Sequence, residues 1–201
     1  MKNKPLSAYK KKKLIESFCD ELTATQAAHR LNLDRNTVNK YFKRIRECIA
    51  GYREYQKMRL LISFMTKPGQ KAEVVTKQIP SQSHEGGIPV HLMCIAGQLL
   101  TDIDSHSTAN VPSYIMKVSD YLKVHLNGSD IHNSPVELRK DELERIAEDF
   151  NSFAAQRFKK YFGIRGDHAY LYLKEAEFVF NEKDPKTREH FLNKMMDHIF
   201  S

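Results

Sequence analysis

Apolar residues in the first third of the chain recur at intervals of three and four positions, as in Val38, Phe42, Ile45 and Ile49. This spacing places side chains on one face of an α-helix, so it predicts helical structure. Residues 6–65 contain no proline and a single glycine, so little interrupts the pattern. The segment therefore predicts several helices in succession.

Within this segment, residues 23–46 read TATQAAHRLNLDRNTVNKYFKRIR. The order of residues predicts a short helix capped by Thr25, a turn at Asn32 and Leu33, and a second helix capped by Asp34. Two helices joined by so short a turn form a helix-turn-helix. Small alanines let the two helices approach closely, and the predicted inward face consists of Ala27, Ala28, Leu31, Leu33, Val38, Phe42, Ile45 and Ile49.

The middle of the chain changes to a pattern typical of β-strands. Prolines, glycines and polar residues crowd positions 67–87, which indicates a linker or a first strand region. The apolar runs Ile88–Ile95 and Leu99–Asp104 lie on either side of Gly97, an arrangement typical of a β-hairpin. Residues 72–79 are a candidate third strand.

The rest of the chain returns to helical spacing, which is clearest in the series Val111, Ile115, Val118, Leu122 and Leu126. Three further helices are predicted, with Ser134, Asp167 and Asp184 as their N-caps. Ser134 and Asp184 each precede a proline, which fits the first helical position because its missing N–H has no helical partner there. The order helices, strands, helices predicts a helix-rich α/β fold.

Charge divides the chain into two parts. Residues 1–67 contain 16 Lys and Arg against 6 Asp and Glu, a net charge of +10. Residues 68–201 contain 16 against 19, a net charge of −3. A basic module followed by a nearly neutral one indicates that the first part contacts a polyanion.

Several classes of protein do not fit the sequence. The longest apolar stretch, Leu60–Met65, is far shorter than the roughly 20 residues that span a bilayer, so we expect no membrane contact. The basic beginning is followed by amphipathic residues rather than by the apolar core of a signal peptide, which favours a cytoplasmic, nucleoid-associated protein. Cys19, Cys48 and Cys94 lie far apart without metal-ligand spacing, so we expect free thiols and no cofactor.

The predicted second helix of the helix-turn-helix supplies candidate DNA-binding residues. Its outward face is expected to present residues that can hydrogen-bond base edges in the major groove: Arg35, Asn36, Asn39, Lys40 and Lys43. Arg44, Arg46 and the lysines at 10–13 are better placed for backbone phosphates, which fix position without reading sequence. The alternative for this module is a solvated basic helical hairpin or a protein–protein module.

Four pieces of the chain resemble small bacterial insertion-sequence transposases of the DDE type. They are the run LNLDRNTVNKYFKRIR within 23–46, the hairpin around Gly97, the stretch from Glu148 to Ile164, and YLYLKEAEFVFN at 170–181. The pieces occur in the order of that family. The resemblance implies a DNA-binding head followed by a shortened ribonuclease-H-like core, in which three carboxylates hold two divalent metal ions for strand cleavage and transfer.

The resemblance also gives candidate catalytic acids. Glu148 matches the third acid of the family pattern. The first acid falls where this chain has Val75 or Thr76, so Glu73 is the nearby carboxylate. In place of the second acid's strand, the chain has a helical pattern containing Asp120. With a single matched acid, we expect binding without strand transfer; a displaced triad of Glu73, Asp120 and Glu148 that uses Mg²⁺ is the alternative.

The sequence thus predicts a helix-turn-helix domain over 1–66, a linker or first strand region over 67–87, and a shortened ribonuclease-H-like core over 88–201. The predicted function is binding of a specific double-stranded DNA site by a transposase-like protein. Two rivals are an active metal-dependent transposase and a scaffold or regulator that forms a homodimer or pairs with an intact transposase.

Overall fold

The computed structural model describes residues 6–65, 74–81, 84–95, 97–103, 140–161 and 166–200. The helices are α1 Ala8–Cys19, α2 Ala24–Leu31, α3 Arg35–Met65, α4 Lys140–Lys160, α5 Gly166–Asn181, α6 Pro185–Lys194 and α7 Met196–Phe200. The strands are β1 Val74–Ser81, β2 His84–Ile95 and β3 Gln98–Ile103. This confirms the helix-rich α/β class at the level of helices with a small sheet.

Local side-chain hydrogen bonds determine where the first helices begin and end. The prediction that Thr25 caps α2 was wrong, because Thr23 accepts the backbone N–H of Gln26 while the Gln26 side chain accepts the backbone N–H of Thr23. Asn32 ends α2 in the left-handed conformation, with φ of 50°. Asp34 caps α3 as predicted, since its Oδ1 accepts the backbone N–H groups of Asn36 at 2.9 Å and Thr37 at 3.1 Å.

The chain divides into two compact units. The first unit is Met1–Ala50 together with Glu182–Ser201, and the second unit is Gly51–Asn181. These bounds differ from the predicted division, which assigned residues 182–201 to the core. The physical reason lies in α6, where the Arg188 guanidinium is 5% exposed and donates to the carbonyl of Cys19 at 3.1 Å.

The core of the first unit is the interior that helical spacing predicted. Of the eight residues expected on the inward face, six are buried, and Leu31 and Leu33 are half-buried. Phe18 of α1 packs edge-on against Phe42 of α3, with ring centroids 5.2 Å apart. The apolar face of α3 therefore lies inside, and its opposite face is left to solvent.

The second unit contains an antiparallel sheet in the order β1-β2-β3. The predicted hairpin is confirmed: Ile95 pairs with Gln98 across a turn in which Gly97 has φ of +73°, a conformation that glycine adopts without strain. The predicted third strand is β1. Helix α4 packs against β1 and β2, and α5 packs against β3.

Other predicted features have mixed outcomes. Asp184 caps α6 as predicted, with Pro185 in the first turn. Asp167, predicted to precede a helix, lies inside α5, which begins at Gly166. The helix predicted from apolar spacing over 111–126 and the cap at Ser134 lie outside the described residues.

Candidate nucleic-acid interface

The first turns of α3 present a continuous polar face to solvent. Five of the predicted DNA-contacting residues are exposed there: Arg35, Asn36, Asn39, Lys40 and Lys43. On the opposite side of the same turns, Val38 and Ile45 are fully buried. Because a helix advances 100° per residue, burial of one face forces the other outward. The structure therefore brings these five residues together on one side of α3.

The beginning of α3 is held in place by Asp34 and the short turn before it. The backbone N–H of Leu33 donates to the carbonyl of Ala28 at 3.0 Å, which fixes the chain between α2 and α3. The Asp34 carboxylate offsets the positive end of the α3 helix dipole, so the local positive charge comes from the exposed side chains of Arg35 and Lys40. This end of α3 is chemically suited to an anionic partner.

The basic residues further along α3 have different surroundings. Lys43 Nζ lies 3.9 Å from Glu47 Oε1, and both side chains are about half exposed, at 54% and 49%. Such a surface pair contributes at most about 1 kcal/mol, so Lys43 can exchange it for a phosphate oxygen. Arg44 is half-buried, and its guanidinium carbon lies 5.9 Å from the centroid of the Tyr41 ring.

The structure corrects the placement of Arg46 among the phosphate-contacting residues. Arg46 is 6% exposed, and its guanidinium carbon lies 5.5 Å from the Phe18 ring centroid. Position 46 follows Ile45 at the edge of the buried face, and the aromatic ring of α1 covers the long side chain there. Arg46 is thus part of the interior of the first unit.

The lysines of α1 also differ from one another. Lys12 is exposed, whereas Lys10, Lys11 and Lys13 are half-buried. Lys13 Nζ lies 2.6 Å from Glu16 Oε2, and the hydrogen bond to that carboxylate raises the pKa of Lys13. Lys13 is therefore bound to an acid of its own helix, which leaves Lys10, Lys11 and Lys12 better suited to a phosphate.

The candidate catalytic acids are not assembled in the described residues. Glu148 lies on α4 with its side chain 70% exposed, and Lys77 Nζ of β1 is 3.6 Å from its Oε1. Glu148 thus points away from the apolar face of α4, on which Phe150 is buried. Glu73 and Asp120 lie outside the described residues, which contain no group of three His, Cys, Asp or Glu that could hold a metal ion.

Sequence reasoning missed a buried polar cluster in the second unit. Four polar residues of the YLYLKEAEFVFN segment repeat at helical spacing on one face of α5: Tyr170, Lys174, Glu177 and Asn181. Lys174 is fully buried, and its Nζ lies 2.8 Å from Glu54 Oε1, 2.9 Å from Glu177 Oε2 and 2.6 Å from the carbonyl oxygen of Thr101. This face of α5 is therefore turned inward.

The rest of the cluster connects α5 to α3 and β3. Arg53 Nε donates to Glu177 Oε1 at 2.7 Å, and the hydroxyl of Tyr170 donates to Glu54. The Asn181 amide binds both backbone groups of Leu99, accepting its N–H and donating to its carbonyl, each at 2.8 Å. These contacts fix the position of α5 along β3, so they stabilise the fold of the second unit.

Charge balance makes this cluster tolerable in the interior. Burial alone would raise the pKa of Glu54, but the ammonium groups of Lys174 and Lys57 outweigh it and lower the pKa to about 2. Burial would lower the pKa of Lys174, but Glu177 and Glu54 raise it instead. The polar spacing along 170–181 was the available sequence signal for this inward face.

Comparison of the chain with protein-family models, with curated proteins and with solved structures finds no match. In the part of the chain that the structure describes, no helix is both long enough and apolar enough to cross a membrane.

Proposed function

We propose that this protein binds a specific double-stranded DNA site, with α2 and α3 acting as a helix-turn-helix and α3 as its recognition helix. The observation that carries the proposal is the exposed face of α3, where Arg35, Asn36, Asn39, Lys40 and Lys43 lie together opposite a buried face. The first turns of a recognition helix are the part that reaches base edges in the major groove.

The residue types on this face match the chemistry of base edges. Asn36 and Asn39 carry amides that can pair bidentately with adenine, and Arg35 and Lys40 can donate to O6 and N7 of guanine. Amides and cations arranged one helical turn apart can contact successive base pairs. This combination favours sequence reading over attachment to any polyanion.

Phosphate contacts would fix the orientation of α3 on the duplex. The candidates are Lys10, Lys11 and Lys12 of α1 and Arg44 of α3, since Arg46 is buried. Contacts of this kind supply affinity that falls steeply with salt, because each neutralised phosphate releases condensed counterions.

The transposase resemblance gives the proposed activity a context. A transposase-like protein with a shortened ribonuclease-H-like core would bind its DNA site without strand transfer. The support for this absence of transfer is that only Glu148 falls at a matching acid position in the sequence. Its neighbour at 3.6 Å is a cation, Lys77.

The test is selection of bound duplexes from a random pool with the full chain, followed by titration of the selected duplex. We expect tight binding that is equal with Mg²⁺ and with chelator and falls with salt. Arg35→Ala and Lys40→Ala should each weaken binding about tenfold, which corresponds to the 1–3 kcal/mol of a base contact.

Lys159→Ala is the matched control, since it removes an exposed cation from α4 of the second unit. It should leave affinity unchanged. Failure to select any sequence, or equal losses in all three variants, would contradict sequence-specific binding through α3. Metal-dependent cleavage of the selected duplex would instead favour the active transposase.

A further inference from the structure

Three helices of the first unit meet at one aromatic ring, that of Phe200 on α7. The centroid of the Tyr41 ring, on α3, lies 4.9 Å from that of Phe200, with the rings inclined by 38°. Lys11 Nζ of α1 lies 5.2 Å from the Phe200 centroid. Arg44 lies over the Tyr41 ring, so four side chains are linked in the order Lys11, Phe200, Tyr41, Arg44.

This stack has a cation at each end and two rings between them. The faces of aromatic rings attract cations, so the rings hold the ends of two long side chains that would otherwise rotate freely. Holding them in advance lowers the entropy lost when each binds a ligand. The ring contacts also use few donors, which leaves N–H groups of the ammonium and guanidinium for acceptor oxygens.

The position of Phe200 is fixed by the packing of α6 and α7. Leu192 of α6 and Ile199 of α7 are buried, at 0% and 1% exposure. Arg188 donates to the carbonyl of Cys19, where α1 ends, and to the carbonyl of Glu182, each at 3.1 Å. These anchors keep α7 beside α1 and α3.

We propose that Phe200 is a positioning residue for DNA, which holds Lys11 and Arg44 so that they bind phosphates of the duplex backbone. The helix α7 is then part of the DNA-binding surface. This inference rests on the proposed function: Lys11 and Arg44 are among its phosphate candidates, and Phe200 is the residue that positions them. Base reading by α3 does not require Phe200, so the two sets of contacts can be separated by experiment.

The experiment measures the affinity of the full chain for its selected duplex over a range of KCl concentrations. Each lost phosphate contact lowers the slope of log affinity against log salt by about 0.9. Phe200→Leu keeps an apolar side chain without the ring. We expect it to make the slope less steep by about 0.9 to 1.8, which corresponds to one or two lost phosphate contacts. Phe200→Tyr keeps the ring and should retain the original slope.

A merely structural role for Phe200 would change the melting temperature and both affinities together. We expect instead that Phe200→Leu leaves the ratio of affinities for the selected and a scrambled duplex within about twofold while the slope falls. Lys194→Gln is the charge control, because Lys194 is an exposed cation of α6 outside the stack. It should leave the slope unchanged.

Two further variants keep the test decisive if Phe200→Leu unfolds. Lys11→Gln and Arg44→Gln remove one end of the stack each, and each should lower the slope by about 0.9. An unchanged slope in these variants, or in folded Phe200→Leu, would overturn the inference and leave the base-reading proposal intact. Absence of salt-dependent binding in the unaltered protein would overturn the proposed function itself.

Discussion

Two helices of this protein carry polar residues at the same helical spacing in opposite environments. In the part of α3 that belongs to the first unit, residues 35–50, the side chains of Asn36, Lys40 and Lys43 point to solvent. In α5 of the second unit, Lys174 and Glu177 are fully buried. The difference teaches that spacing alone identifies a face of a helix, whereas the charges of the surrounding elements decide whether that face turns inward.

The buried face is balanced and the exposed face is not. Three basic side chains, Arg53, Lys57 and Lys174, pair with three acidic ones, Glu54, Asp102 and Glu177. The exposed face of α3 carries three cations, Arg35, Lys40 and Lys43, and one acid, Glu47, which lies 3.9 Å from Lys43. A face with an excess of positive charge is suited to an anionic partner such as DNA.

The largest expected effect is the loss of stability when a charge is removed from the buried face of α5. Lys174→Met should destabilise the second unit by about 3–5 kcal/mol, because it leaves two carboxylates in the interior without their shared cation. The same change on the exposed side, Lys40→Met, should shift the free energy of unfolding by less than about 0.5 kcal/mol. Chemical denaturation followed by circular dichroism measures both, and similar losses would show that the two faces do not differ as described.

The second largest effect is expected from low pH, which should weaken the buried cluster of α5. The pKa of Glu54 falls from its ordinary 4.5 to about 2 in the folded protein, so its paired carboxylate stabilises the fold above pH 4.5. That stabilisation is lost progressively as the pH falls from 4.5 to about 2.

We expect hydrogen exchange across 166–181 to accelerate over this interval of pH, after correction for intrinsic rates. The pKa of Glu177 is also lowered, so it adds to the effect. Exchange that stays constant to pH 2 would contradict the ion pairing of the cluster.

The smallest expected effect concerns the capping box at Thr23, which begins α2, the helix before the exposed face of α3. Thr23→Ala removes the hydroxyl acceptor of the capping box and should destabilise the first unit by about 1 kcal/mol. Thr25→Ala is the matched control, since Thr25 is an exposed residue inside α2 and makes no cap. Thermal unfolding measures both, and an equal shift in melting temperature would show that the capping box is not what starts α2.

Features that depend on near neighbours could be predicted from the sequence. The caps at Asp34 and Asp184, the hairpin at Gly97 and the buried face of α3 all arise from residues within a few positions of each other. Thr23 was missed because its partnership with Gln26 competes with an equally plausible threonine two residues later. Here the local signal existed and was assigned to the wrong residue.

Features that depend on distant neighbours could not be predicted in this way. Arg53 and Glu177 are separated by 124 residues, and Tyr170 and Glu54 by 116. In the sequence, Arg46 cannot be distinguished from Arg44. In the structure, Arg46 is buried against Phe18 of α1, whereas Arg44 is half-buried. The spacing of polar residues within 170–181 indicates a polar face in the sequence. That this face is buried could not be predicted, because the residues that balance its charge lie on α3 and β3.

The discontinuity of the first unit has a consequence for its synthesis. Residues up to Ala50 leave the ribosome long before Glu182, the residue at which the unit's second segment starts. At a synthesis rate of about 5–20 residues per second, the early helices wait roughly 7 to 30 seconds for α6 and α7. A nascent chain interrupted before Arg188 has the exposed face of α3 but lacks the anchor at Cys19, so production of the whole chain governs when this unit is complete.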